Sequence, residues 1–221
     1  RLLSFSGKER YKKEFEKARA YFARAIKAGG KSQAIAMLGL GWVDANQGKH
    51  KEAIECYKRV LKISPINLLA ELGMGNSYNW LGQHAEAQRC FNRVLEIDPE
   101  NEYALAGLGI AYFNKGQSNK AEELFVKSLK INNSTYSCPY EGLGLVYLKQ
   151  NKLKRAEESF KKAIAVNPDI EYKKYNGLAK IYISKGMLKE ARALLEKSVS
   201  NYPYDNEARE LLREIEARTE K

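Results

Sequence analysis

The stretch AGLGIAYFNKGQSNKAEELF, Ala106 to Phe125, decides how the chain is read. Leu105, Leu108 and Tyr112 recur at helical spacing up to a break at Gly116, and Ala121, Leu124, Phe125, Ser128 and Leu129 form a second stripe after it. Two helices of about 14 residues, each about 20 Å long, fit this pattern. Yet Gly107 and Gly109 stand inside the first helix, where each costs roughly 1 kcal/mol relative to alanine. A helix that keeps both has a use for them.

The use becomes visible when the stretch is matched to the rest of the chain. Five units align: 34–67, 68–101, 102–135, 137–170 and 172–205, with single residues Tyr136 and Glu171 between the last ones. The eighth place of each unit is small (Gly41, Gly75, Gly109, Gly144, Ala179), and so is the twentieth (Ala53, Ala87, Ala121, Ala156, Ala191). The twenty-fourth is large and apolar: Tyr57, Phe91, Phe125, Phe160, Leu195. A proline closes four units (Pro65, Pro99, Pro168, Pro203), and Asn133 takes its place in the third. Small residues at places 8 and 20 let two helices approach, and an added side chain there would overpack the contact by about 1 to 3 kcal/mol. Gly109 is thus expected to face the Ala121 region. Glycine also fills place 6 of every unit (Gly39, Gly73, Gly107, Gly142, Gly177). Two readings of that place stay open: bare backbone offered to a partner chain, or tighter packing between units.

This phased pattern resembles the tetratricopeptide repeat, and the resemblance covers residues 34–205. It implies an all-α fold, a right-handed α-solenoid of stacked antiparallel helix pairs with a concave groove. Residues 206–221 read as a C-terminal capping helix, because Ala208, Leu211, Leu212 and Ile215 share one face of Glu207 to Thr219. Residues 1–33 read as a basic helix from Lys8 to Ala28, with Tyr11, Phe15, Ala18, Phe22 and Ala25 on a stripe ended by Gly29 and Gly30. Ala18, Phe22 and Ala25 match the second helix of a degenerate half-unit, either a natural cap or the cut edge of a longer array that could pair with another copy.

The resemblance also assigns the groove to places 2, 5, 9, 12 and 13. These give Ile35, Leu38 and Trp42 in the first unit, Leu72, Asn76, Asn79 and Trp80 in the second, and Tyr103, Ile110, Phe113 and Asn114 in the third. Leu145 and Lys149 follow in the fourth, and Lys173, Asn176 and Lys180 in the fifth. The expected groove is therefore apolar and aromatic, then basic. Chaperone-binding relatives carry a carboxylate clamp, Lys at place 5 with Asn at place 9, and no unit here supplies that pair: Leu38 stands with Trp42, Leu72 with Asn76, Ala106 with Ile110, Glu141 with Leu145 and Asn176 with Lys180.

Chemistry has little raw material. No nucleophile triad, phosphate-cradling loop or H-E-x-x-H motif occurs, and there are two histidines and three scattered cysteines. His50 and His84, like Cys56 and Cys90, are one unit apart, which points to the repeat rather than to a metal site. A non-enzymatic chain without cofactor or metal is expected, a scaffold or adaptor whose groove takes an apolar or amphipathic segment of another protein. Self-assembly is the alternative. The net charge of +11 is uneven: residues 1–33 hold ten basic and three acidic side chains, while the second unit holds two basic and five acidic. No continuous basic track runs along the units, so nucleic-acid or anionic-surface binding is expected, if at all, only through the N-terminal helix. No small-molecule substrate and no transmembrane segment are expected. Beginning at Arg1 rather than Met, the sequence reads as a fragment. Upstream signals, anchors or repeats therefore stay open, and cytoplasmic placement is the expectation, periplasmic or membrane-associated placement the alternative.

Overall fold

The computed structural model describes residues 3–29, 32–168, 173–201 and 205–219, with side chains from residue 13 onward. Gly30, Ile170, Glu171, Tyr172 and Pro203, and the side chain of Tyr11, lie outside the described residues. The described residues form twelve helices and no strand. In order they are α1 (Leu3–Ala28), α2 (Gln33–Asn46), α3 (His50–Ile63), α4 (Leu68–Trp80), α5 (His84–Ile97), α6 (Glu102–Asn114), α7 (Ser118–Ile131), α8 (Cys138–Lys149), α9 (Leu153–Val166), α10 (Lys173–Ser184), α11 (Leu188–Asn201) and α12 (Asn206–Thr219). They fall into two compact units, Arg1–Gln117 and Ser118–Lys221.

Short turns close the helix pairs, and one backbone conformation recurs in them. Gly48, Gly82, Gly116 and Gly186 have φ between 72° and 79°, and Asn151, at φ 57°, serves the same place in the α8–α9 turn. Asparagine is the non-glycine residue that tolerates this left-handed region best. The next amide folds back over the helix end, as Lys49 N to Asp44 O (2.8 Å) and Lys152 N to Tyr147 O (2.8 Å) show. At the other end of the pairs, the side chains of Asn67, Asn101 and Asp205 accept the amides of Ala70, Ala104 and Ala208, capping α4, α6 and α12.

In the first unit, the glycines explain the stacking. A Cβ added at Gly41 would lie 2.7 Å from the Tyr57 ring, and one at Gly73 only 2.5 Å from the other side of the same ring. Phe91 is held likewise between Gly75 and Gly107, at 2.8 and 2.3 Å. Each place-24 ring is thus clasped by the place-8 glycine of its own pair and the place-6 glycine of the next. The two open readings of place 6 resolve here to packing between pairs. The α1 helix joins by the same device, since a Cβ at Gly39 would sit 2.5 Å from Phe22.

The second unit repeats the clasp. Phe160 stands between Gly144 and Gly177, and Phe125 rests against Gly142. The last pair departs from it consistently: Leu195 replaces the ring, Ala179 replaces the place-8 glycine, and α12 brings Leu211 rather than glycine to place 6. Ala179, Leu195, Ala208 and Ile215 form one core with Leu211 and Leu212 at its edge. A branched aliphatic side chain needs no bare backbone beside it. Gly109 and Ala121, expected to face each other, belong to different units; both are buried.

Candidate functional site

The first helices of three successive pairs, α2, α4 and α6, carry large apolar side chains that the core does not absorb. Ile35 is 71 % exposed, Trp42 58 %, Leu69 63 %, Trp80 65 % and Tyr103 47 %. The opposite faces of the same helices are packed away: Met37, Met74 and Leu105 are at most 6 % exposed. This arrangement explains why α2 and α6 are apolar all round. One side serves the core, and the other is a surface of exposed aromatic and aliphatic groups interspersed with amides.

Among the other expected groove residues of this unit, Leu38, Asn79, Ile110 and Phe113 are half-buried, and Asn76 and Asn114 are exposed. Leu72 is buried at 9 % and offers little area to a partner. Asn79 is already engaged, donating to Gly107 O at 2.9 Å and lying 3.3 Å from His84 Nδ1. Place 6 therefore supplies both a bare Cα for a ring and a reachable carbonyl.

Both tryptophans are supported from one side by the preceding helix. The Trp80 indole stacks on the His50 imidazole with centroids 5.6 Å apart and planes 6° from parallel, and Phe15 of α1 meets Trp42 at 6.1 Å. His50 and Phe15 both occupy place 17, which the family pattern leaves unassigned. The ring at place 17 was the available signal, although the tryptophans it supports stand at places 9 and 13 of their repeats. Burial lowers the His50 pKa below its ordinary value, so the ring stays neutral against the indole at pH 7.

In the second unit, Leu145 is half-buried, and Lys149, Lys173 and Lys180 are exposed. Asn176 is 2 % exposed, and its amide donates to Asp205 Oδ2 and Glu207 Oε2, both at 2.9 Å. Lys180 Nζ reaches Glu207 Oε1 at 2.6 Å. The basic end read from the sequence is thus partly answered by the cap: α12 brings acids to residues assigned to the groove. Burial raises the Glu207 pKa, but hydrogen bonds from Lys180 and Asn176 outweigh it and hold the carboxyl below its usual range. Ser198 Oγ donates to Asp205 as well, at 2.8 Å. No repeat spacing marked this network, since Asp205 and Glu207 follow Asn176 by 29 and 31 residues.

No group of three or more metal-ligating side chains converges among the described residues. The buried thiols are unreactive by environment: burial, with Glu71 nearby, pushes Cys90 up to about 12, and burial raises Cys56 too. No helix of the described residues is long and apolar enough to cross a membrane.

Family models described as tetratricopeptide repeat match residues 9–65, 67–134, 139–170 and 174–205. No curated protein matches the chain significantly. Among solved structures, the chain is similar to TTC0263, described as a thermophilic TPR protein of Thermus thermophilus, at 23% identity and a TM-score of 0.71, over 82% of this chain and 98% of that one. It is similar to a chain of the APC/C hetero-tetramer Cut9-Hcn1 at 20% identity and a TM-score of 0.79, over 92% of this chain but 40% of that one. YrrB, described as a TPR protein with an unusual peptide-binding site, matches at 19% identity and a TM-score of 0.51, over 87% and 97%. At these identities the likeness is one of fold.

Proposed function

The chain belongs to the tetratricopeptide repeat family, whose repeats generally mediate protein–protein interaction, and from that premise we propose that it is a non-enzymatic adaptor whose α2–α4–α6 surface binds an apolar or amphipathic segment of another protein. The observation that carries this reading is the exposure of Ile35, Trp42, Leu69, Trp80 and Tyr103 on one helix of each successive pair. Contact residues of this kind dominate binding free energy when a partner buries them, and rigid aromatic groups lose little entropy on binding. Asn76 and Asn114, exposed beside them, can hydrogen-bond a bound backbone. Peptide binding named for YrrB supports the same reading by analogy of fold.

Lys149, Lys173 and Lys180 of the second unit are proposed as a separate, cationic contact region for an acidic protein segment, Lys180 having to exchange Glu207 for it. Leu72 and Asn176 contribute through the fold rather than by contact. The absence of a clamp pair at places 5 and 9 argues against capture of a terminal carboxylate.

The chain's only two tryptophans both lie in the proposed surface, so intrinsic fluorescence reports on its occupancy. Titration with a panel of amphipathic and apolar peptides is expected to blue-shift the emission. Trp42→Ala or Phe113→Ala should weaken the tightest peptide about tenfold or more while leaving the melting temperature within a few degrees. A panel that leaves the emission unmoved, or variants that bind unchanged, overturns the assignment.

A further inference from the structure

Places 9 and 13 lie about one turn apart on the same face of a helix. In the first unit, each first helix of a pair gives one of them to a large apolar side chain and the other to asparagine. The pairs are Trp42 with Asn46 on α2, Asn76 with Trp80 on α4 and Ile110 with Asn114 on α6. Both tryptophans and all three asparagines are exposed, and Ile110 is half-buried. The pattern stops with the unit: the same places hold Leu145 with Lys149 on α8 and Lys180 with Ser184 on α10.

Charge is kept off this face. The charged residues of α2, α4 and α6 are Asp44, Glu71 and Glu102. Asp44 and Glu71 are buried in ion pairs with Arg19 and Arg93. Glu102 is half-buried in the first turn of α6, about two turns from Ile110. A charged partner side chain laid on Trp42 or Trp80 would lose water and meet no counter-charge from these helices.

The asparagines decide the partner's backbone conformation. An exposed amide bonds water, and a partner that covers it has to supply a hydrogen-bonding group in water's place. Asn46 already donates to Trp42 O at 2.8 Å, which leaves its own carbonyl oxygen for a partner. The apolar face of a helix has no such group to give, because its peptide groups are bonded within the helix. An extended chain keeps N–H and C=O groups open along its length. Spacing agrees: α4 packs against both α2 and α6, axes of packed helices lie about 8 to 10 Å apart, and three residues of extended chain cover about 10 Å. We propose that the α2–α4–α6 surface takes an uncharged apolar segment in extended conformation, its backbone bonded by Asn46, Asn76 and Asn114 and its side chains laid against Trp42, Trp80 and Ile110. The inference rests on the binding surface proposed above and narrows what that surface accepts.

The probes are a fluorescein-labelled library of uncharged peptides of about ten residues built from Val, Phe, Thr and Pro, long enough to cross three helices, and a library of hydrocarbon-stapled helices of equal length built from Leu, Ala and Gln. Anisotropy is expected to select extended peptides whose affinity changes less than about twofold from low to high salt. N-methylation of single peptide nitrogens in the best of them should weaken it at least about tenfold at the positions that bond asparagine. Asn76→Leu and Asn114→Leu, changes at exposed positions, should each weaken it about tenfold with circular dichroism and melting unchanged. A helical occupant would instead gain apolar contact from them. No effect of either substitution, tighter capture of the stapled helices, or weakening by salt of about tenfold overturns the inference and leaves the binding surface standing. Light scattering that shows a dimer dissociated by Asn76→Leu also overturns it, since a second copy would then be the occupant. Tryptophan emission unmoved by both libraries removes the surface itself, and the inference with it.

Discussion

Arg19 Nε donates to Asp44 Oδ1 at 2.9 Å, and the Asp44 side chain is only 2 % exposed. The two residues occupy places 21 and 11 of consecutive repeats. The same pair of places is joined in the second unit by different chemistry, Tyr147 Oη donating to Glu122 Oε1 at 2.9 Å. Place 11 is tyrosine in the four later repeats (Tyr78, Tyr112, Tyr147, Tyr182) and aspartate only in the first. A charged pair thus secures the half-repeat α1 where the α7–α8 contact uses a phenol.

A buried carboxylate without its cation is strongly destabilising, whereas exchange of the whole pair for uncharged groups is often neutral. Arg19→Ala is therefore expected to cost about 1 to 3 kcal/mol in urea unfolding, since the guanidinium is 46 % exposed and its loss lets water reach the carboxylate, with α1 released first. Asp44→Asn combined with Arg19→Gln should recover most of that loss. A single variant as stable as the parent would show that the pair does not hold α1.

The ring clasps make a prediction with an unusual sign. At an ordinary exposed helix position, glycine to alanine stabilises by roughly 0.5 to 1 kcal/mol. At Gly107 the new Cβ would lie 2.3 Å from Phe91 Cζ, so Gly107→Ala should destabilise by about 1 to 3 kcal/mol. Shortening the ring, as the chain itself does with Leu195, should relieve the clash. The double variant Gly107→Ala with Phe91→Leu is expected to be more stable than Gly107→Ala alone. Additive losses in the two changes would mean that the ring and the glycine do not act on each other.

The helix pairs and their turns were legible because they repeat: a period repeated five times outweighs local ambiguity. The small residue at place 8 was legible too, but it was set against place 20, whereas Gly41 and Gly75 meet the place-24 rings. Place 6 was ambiguous for a physical reason, since a glycine is equally suited to a ring from behind and to a ligand in front. Only the positions of the Tyr57 and Phe91 rings separate these. The exposed aromatics of α2, α4 and α6 were legible once the register was known. Asn176 and Leu72 were assigned to the groove by register alone, and register carries no information on what the neighbouring helix brings. The acids of α12 took Asn176, and close packing took Leu72. Place 17 was missed because its contact runs to the next helix rather than within the pair, so neither helix's own stripe reveals it.

The stacked pair His50 and Trp80 makes the proposed binding surface responsive to acid. Burial lowers the His50 pKa below 6.5, so the neutral ring persists to lower pH than a free histidine, and protonation, when it comes, places a cation 5.6 Å from the indole. A protonated imidazole quenches indole emission efficiently. In a Trp42→Phe variant, where Trp80 alone reports, fluorescence should fall in a single step on acidification, with a midpoint below 6.5. The linkage has the matching sign: a folded pKa below the unfolded one means the unfolded chain binds the proton more readily, so stability declines as pH drops through this window. His50→Gln should remove both the step and the decline. A midpoint at or above 6.5, or a step that survives His50→Gln, would rule out this ring as the sensor.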